Sequence, residues 1–436
     1  MQTGAGSLRM NNVQAVQRAN ALGTKESRYE CRFCAATLRD SVVDLGTSPL
    51  CQRHITPERF DQAESIYPLH VYVCSECFLV QLPGYIAPEG IFDQEYGYFS
   101  SYSETWLKHA ETYVAMIIAR FDLTARSRVI EVASNDGYLL QYFVRAGIPA
   151  LGIEPTANTA AVARQKGVST ITKFFGRQTA REVLTTEGAA NVIVANNVLA
   201  HVPDINDFVA GLKILLAPGG VITIEFPQLM HLIEQNYWDT IYHEHFSYLS
   251  FSTVENIFDS HELRLFDVDE LPTHGGSIRI YGCHVDDPTK PTHARVMLMK
   301  EREARAGHSN LDYYSQFGER VKESKRALLD FMIKAKRGGK SVAAYGAPGK
   351  GNTLLNYCGL GTDFIDYTVD RSPHKQGNYL PGTRIPIYAP EKIAETKPDY
   401  LLLLPWNLKD EIMWQMSHIR SWGGRFVTPI PIVEIW

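Results

Sequence analysis

The sequence predicts an α/β protein with two parallel sheets and a small cysteine-rich unit ahead of them. Three observations predict it. Short apolar runs alternate with helical stretches in two separate parts of the chain. In each part a strand-like run ends in a small polar or glycine-rich turn that opens a helix. Two Cys-x-x-Cys pairs precede both parts, out of seven cysteines in all. The 436 residues leave room for several domains at roughly 100–200 residues each. With 43 basic against 48 acidic residues, a net charge of -5 argues against a dominant nucleic-acid-binding surface. No apolar run reaches the ~20 residues of a membrane span. The polar start lacks the apolar core of a signal peptide, so a cytoplasmic location away from membranes is expected.

In chain order, residues 1–28 (Gly, Ser, Gln, Asn and few anchors) predict a flexible leader. The cysteine unit is expected over 29–85, a larger α/β domain over 86–288 and a second α/β domain over 289–436. In the larger domain, 127–132 (SRVIEV) reads as a buried strand ending in a small polar turn, with a helix from Tyr138. Strands follow at 150–154, 168–172, 190–195 and 221–226, spaced by helical stretches. Runs 263–267 and 277–284, split by His274-Gly275-Gly276, suit an antiparallel hairpin. The charged stretch 292–340 carries Val321, Leu328, Phe331, Met332 and Ala335 at helical spacing, so one face packs inward. The last domain starts with a strand at 341–345, turns at 346–351, enters a helix near Thr353, and continues through strands at 364–369 and 400–404.

Cys31 and Cys34, then Cys74 and Cys77, have the spacing that lets two knuckles aim four thiolates at one tetrahedral Zn²⁺. Four thiolates close the coordination, which makes the ion structural; a redox dithiol pair or coincidental spacing are the alternatives. Cys51 between the knuckles is the residue most able to upset this assignment, while Cys283 and Cys358 read as small buried apolar residues. The turn Glu131 to Gly137 (EVASNDG) closes the first strand of the sheet, where open parallel sheets bind nucleotide-like ligands. It lacks the three glycines of a dinucleotide fingerprint. Glu154, at the next strand end, can accept from two ribose hydroxyls, so an adenosine ligand without a pyrophosphate fits better than NAD. The rival reading has Asn135 and Asp136 capping the helix. Asn196, Asn197 and His201 follow the strand 190–195 and point to the same crevice, although a lone histidine there is more often a satisfied structural residue than a catalyst. In Tyr242-His243-Glu244-His245, the His245 imidazole suits a base near neutral pH, with Glu244 or Tyr242 to orient it or to stabilise charge; a metal site or a surface patch is the alternative. Gly346, Gly349, Lys350, Gly351 and Asn352 join a strand to a helix with glycines and one cation, a pattern for binding a diphosphate rather than hydrolysing it.

The ordered set CRFC, CSEC, EVASNDGYLL, GIEP, NNVLAHVPD, YHEHFSYLS, HGGSIRIY and GAPGKGNTLLN resembles the sugar C-methyltransferases from about Tyr29 onward. These S-adenosylmethionine-dependent enzymes methylate C3 of nucleotide-linked 4-keto deoxysugars. The resemblance implies a zinc-binding N-terminal domain, a central class I methyltransferase domain with a Rossmann-like sheet and a C-terminal Rossmann-like domain that helps to hold the nucleotide sugar. It implies S-adenosylmethionine and structural Zn²⁺ as cofactors. Glu131, Ser134, Asn135, Asp136, Gly137, Glu154 and Asn197 would surround the former. His245 would be the base, beside Tyr242 and Glu244, and His201 with one or both of Tyr96 and Tyr98 would line the sugar pocket. Gly346, Lys350 and Asn352 would contact the diphosphate. Three departures stand out: Ala133 where the family commonly has Gly, Phe78 where Gly often follows the last knuckle cysteine, and residues 1–28, which have no counterpart. A nucleotide diphosphate sugar is the expected partner and a monomer the expected state. O- or N-methyl transfer to another acceptor and a non-catalytic nucleotide-binding module are the rival functions.

Overall fold

The computed structural model describes residues 29–92 and 99–436; the leader 1–28 and both Tyr96 and Tyr98 lie outside the described residues. Strands β1 (Asp40–Ser48), β2 (Tyr67–Val73) and β3 (Val80–Gln81) form an antiparallel sheet beside the two knuckles. Then come β4 (Val129–Val132), β5 (Ala150–Ile153), β6 (Ser169–Ile171), β7 (Ala190–Val194) and β8 (Leu216–Pro227). The short β9 (Ser247–Tyr248) leaves the central domain and pairs antiparallel with β3, Val80 opposite Tyr248 and Gln81 opposite Ser247. Strands β10 (Leu263–Leu271) and β11 (Ser277–His284) are the expected hairpin and close the central sheet in the order β10-β11-β8-β7-β4-β5-β6. All four residues of β4 are buried, as befits a parallel strand covered on both faces. Strand order reverses at β4, which lies between β5 and β7; ligands of open α/β sheets bind at the carboxyl end of such a switch point.

The third sheet runs β14-β13-β12-β15-β16-β17, built from β12 (Val342–Tyr345), β13 (Thr368–Val369), β14 (Ile387–Tyr388), β15 (Tyr400–Leu403), β16 (Arg425–Thr428) and β17 (Glu434–Ile435). It too reverses at its first strand, between β13 and β15. Several boundaries differ from the sequence reading. The helix after β12 begins at Gly349, not near Thr353, so Lys350 and Asn352 sit in its first turn. The strand expected at 364–369 is only two residues long. The stretch 292–340 is three helices, Ala294–Ala306, Leu311–Ser315 and Phe317–Arg337, the first ended by Gly307 in the left-handed conformation (φ 94°). In the last of them Val321, Leu328, Met332 and Ala335 are buried, with Phe331 packed alongside.

Apolar clusters cross the three sheets. Cys31, Leu38, Cys74 and Leu79 pack with Phe208, Phe251 and Ile280 of the central domain. Val71 and Leu82 share a second cluster with Trp238, Phe317 and Val427. The cysteine unit is therefore packed into both larger layers and helps to fix the cleft between them. No helix among the described residues is long and apolar enough to cross a membrane.

Candidate functional site

The turn after β4 is bent by residues in the left-handed region, Ala133 (φ 55°), Asn135 (φ 50°) and Gly137 (φ 74°). Ala133 pays a steric cost there that glycine would not, which explains why glycine suits this position. The turn lies close to β5: a Cβ on Gly152 would stand 2.3 Å from the Ser134 Oγ. Asn135 and Asp136 do not cap the following helix, Leu140–Arg145. Instead Asn135 Oδ1 accepts the Ser100 N–H (2.9 Å), and the Asp136 carboxylate accepts the Ser101 N–H (3.3 Å) and pairs with Lys166 (3.0 Å). Glu154 accepts the Asn135 N–H at 2.8 Å on one oxygen and the Thr156 N–H at 2.9 Å on the other. Burial raises its carboxyl above the usual range against the pull of those donors. Glu131 behind it is fully buried, and burial next to Glu154 and Asp136 holds its carboxyl well above normal.

A cavity of about 480 Å³ opens in front of this turn and reaches all three units. Ala133, Asn135, Glu154, Asn196, Asn197 and His201 line it from the central sheet, and Gln52 from the cysteine unit. Tyr242, Glu244 and His245 line it from the segment before β9, and Pro348, Gly349 and Lys350 from the third sheet. Glu131, Ser134, Asp136 and Gly137 are not among the lining residues and form the wall behind. The Oγ of Ser134, the Nδ2 of Asn196 and one oxygen of Glu131 are buried without a hydrogen-bond partner. Of these only Asn196 lines the cavity; its orphaned Nδ2 and the remaining lone pairs of Glu154 fit a ligand with hydroxyls and an amino-acid end, as S-adenosylmethionine has.

His245 donates from Nδ1 to the Thr240 carbonyl (2.8 Å), because a carbonyl can only accept; Nε2 therefore carries the lone pair. Its ring lies 4.0 Å from that of Tyr242 and 4.7 Å from that of His201 (centroid to centroid). Burial, together with His201, His274 and Lys350 nearby, keeps the imidazole well below its ordinary proton affinity and hence neutral. Burial likewise brings His201 down to about 4, although it bonds to the Glu244 backbone. Glu244 is pushed up to about 7 by burial, with the Cys51 thiol on one oxygen at 3.6 Å. Cys51 is thus accounted for outside the metal cluster.

The glycine loop of the third sheet departs from expectation. Gly346 spends its N–H on Val369 (2.6 Å), and its carbonyl accepts the Thr368 hydroxyl (2.7 Å). Asn352 donates to the Cys51 carbonyl (2.6 Å), and neither residue lines the cavity. Lys350 does line it, with Nζ on Asn407 (2.8 Å) and 4.8 Å from the centre of the Trp406 ring. The cavity also gathers residues the sequence reading passed over: Gln52, Trp106, Phe174 and His274. His274 is strained at φ 54° in the hairpin turn, and the motif His-Gly-Gly was the available signal.

The four cysteine sulfurs lie within 4.8 Å of one another, the single such cluster among the described residues. Cys31 and Cys77, and Cys34 and Cys74, stand 3.5 Å apart. At Zn–S distances of about 2.3 Å a tetrahedron has edges of roughly 3.8 Å, so the set fits zinc.

Three family profiles match: a zinc binding domain over residues 31–92, a methyltransferase domain over 106–268 and a C-methyltransferase C-terminal domain over 272–431. The chain is 37% identical over 404 residues to the C-methyltransferase NovU of Streptomyces niveus, covering 92% of this chain and 95% of that protein. A ubiquinone biosynthesis O-methyltransferase of Nitrobacter winogradskyi is 27% identical over 110 residues, 24% of this chain and 42% of its own. Among solved structures, the magnesium protoporphyrin IX methyltransferase of Synechocystis PCC 6803 aligns over 40% of this chain and 78% of its own, at 13% identity and a TM-score of 0.31.

Proposed function

The chain belongs to the C-methyltransferase family, and from that premise we propose that it methylates C3 of a nucleotide-linked 4-keto deoxysugar, with His245 as the base. When bound, S-adenosylmethionine supplies a methyl group activated by its sulfonium charge. Glu154 would hold the ribose hydroxyls, and Asn135 and Asn197 would line the same end. Cys31, Cys34, Cys74 and Cys77 would hold Zn²⁺ with its coordination closed, an ion that shapes the fold.

The observation that carries the finer reading is the tautomer of His245. Its Nδ1–H is spent on Thr240, so Nε2 is left as the base on a cavity that also holds the turn after β4 and the Lys350 cation. A ketone at C4 acidifies the C3 hydrogen, because the carbanion left behind delocalises as an enolate. Nε2 takes that proton, and the Tyr242 hydroxyl, on a ring in contact with His245, is the donor at hand for the enolate oxygen. An oriented base contributes about 10²–10⁴-fold. The substrate's diphosphate would meet Lys350, and its negative charge would raise the proton affinity of His245 toward neutral pH.

Mass spectrometry of 4-keto sugar nucleotides incubated with S-adenosylmethionine tests the proposal. The expected product gains one methyl group on carbon, and C3–H exchanges with D₂O when the methyl donor is left out. A methyl group found on oxygen or nitrogen, or no exchange at C3, would overturn it.

A further inference from the structure

One side chain of the metal unit ties directly to both segments that carry the imidazoles. Arg32 lies inside the first Cys-x-x-Cys knuckle, and its guanidinium bonds to carbonyls outside the cysteine cluster. It donates to the Pro203 carbonyl (2.8 Å), two residues past His201, and to the Leu82 carbonyl. It also sits 5.3 Å from the centre of the Phe246 ring, the residue next to His245. The backbone joins the same points. The Arg32 N–H donates to Gln81 Oε1 (2.9 Å), and the Gln81 amide donates to the Cys31 sulfur (3.1 Å). Gln81 pairs with Ser247 across β3 and β9, and the Leu82 N–H donates to the Phe246 carbonyl (3.0 Å). Asn206, on the segment after His201, returns a bond to the Phe33 carbonyl of the knuckle (2.9 Å).

We propose that Arg32 is a positioning residue for the two imidazoles: seated in the metal knuckle, it clamps the segments that carry His201 and His245 at one fixed separation. The proposal rests on the reading of His245 as base. The physical need is clear from His245 itself. Its tautomer depends on a single bond to Thr240, and its ring contacts with His201 and Tyr242 come from two different segments. Neither segment is a long strand or helix at that point, so few backbone bonds hold them and side-chain ties add to their spacing. A misplacement of about 1 Å at a reacting group can cost roughly 10²-fold in rate. An arginine suits the role, because its planar fork serves two carbonyls at once while its face covers an aromatic ring.

Arg32→Gln and Arg32→Lys test it in the full-length, zinc-loaded enzyme. Four quantities are measured: zinc by chelator release, S-adenosylhomocysteine affinity by calorimetry, methyl-transfer kinetics, and backbone amide exchange by mass spectrometry. The expected result for Arg32→Gln is full zinc, unchanged S-adenosylhomocysteine affinity and kcat down by about 10–100-fold with KM little changed. Amide exchange should quicken in 201–206 and 242–248 but not in β4 or β5. Arg32→Lys should recover only part of kcat, since an ammonium cannot fork across both carbonyls. A zinc-replete Arg32→Gln with kcat within about twofold of the parent overturns the proposal. So does unchanged exchange in both segments, or loss of zinc from both variants, which would make Arg32 part of the knuckle alone. If the parent enzyme methylates no 4-keto sugar nucleotide, the reading of the reaction fails instead, and amide exchange alone then decides the clamp.

Discussion

At the carboxyl end of the central sheet the Glu154 carboxylate, just past β5, accepts the N–H of Asn135 in the turn after β4 at 2.8 Å. In the third sheet Asp370, just past β13, accepts the N–H of Ala347 in the turn after β12, also at 2.8 Å. The two switch points share strand order, turn and acid, and they differ in what lies against them. In front of Glu154 is a cavity, and among the described residues no ion pair engages it. Asp370 is neutralised by Lys375 (3.5 Å), whose Nζ also takes the Ala347 carbonyl (3.0 Å). Cys51 and Gln52 of the cysteine unit press on Gly349 at the helix start, and Asn352 is bonded to the Cys51 carbonyl. One switch point is open to a ligand, and the other is plugged by the protein's own chain, leaving only Pro348 to Lys350 on the cavity. A strand, a glycine turn and an acid thus locate a crevice, while the packing of distant residues decides whether anything can enter it.

The largest effect should come from the chemistry at the open switch point. His245→Ala is expected to lower kcat by about 10²–10⁴-fold and to abolish C3–H exchange, with S-adenosylhomocysteine affinity unchanged by calorimetry. A variant that keeps substantial exchange would remove His245 from the base role and leave the cavity as a binding site alone.

A paired substitution sets the two acids against each other. Glu154→Ala should weaken S-adenosylhomocysteine binding by about 10–100-fold, the loss of one or two bonds to a charged group. Asp370→Ala should lower the thermal midpoint and leave that affinity unchanged. Equal losses of affinity in both would mean that the second switch point also holds a ligand.

The sequence made the open site legible and the plug illegible, for a physical reason. Four cysteines in two pairs, a turn at a strand end and Glu154 about 20 residues on are local patterns, and local geometry keeps them together. The plug depends on Cys51 meeting Gly349, Asn352 and Glu244, far apart in the chain, and no periodicity encodes such a meeting. For the same reason the sequence could not show that the Gly346 N–H and the Asn352 amide, both read as diphosphate ligands, bond within the protein. Trp106 carried no motif of its own; it faces the cavity because the Ser103 Oγ caps its helix, Glu104–Arg120, and so fixes where that helix begins.

Glu244 sharpens the comparison through pH. Its folded proton affinity, about 7, exceeds the unfolded value of 4.5. The stability it contributes is therefore fully present below pH 4.5 and is lost as pH rises through 7. A shift of this size corresponds to about 3 kcal/mol at most. Glu244→Gln removes the ionisation, so its thermal midpoint relative to the parent should rise between pH 5 and 8. A difference that stays flat with pH would mean that Glu244 is solvated or paired, and that the plug beside Cys51 is looser than its 3.6 Å contact implies.

The smallest effect isolates the plug. A Cβ on Gly349 would stand 2.8 Å from the Cys51 sulfur and 3.2 Å from the Gln52 amide nitrogen. Gly349→Ala should therefore destabilise the protein by about 1 kcal/mol, the low end for overpacking, because a side-chain sulfur can yield where backbone cannot. Cys51→Ala removes the atom in the way, and the double variant should recover most of what Gly349→Ala loses, a coupling of about 0.5 kcal/mol or more between contacting residues. Denaturant unfolding of the four proteins measures it. Additive losses would show that Gly349 does not bear on Cys51, and the loop after β12 would then have room for a ligand of its own.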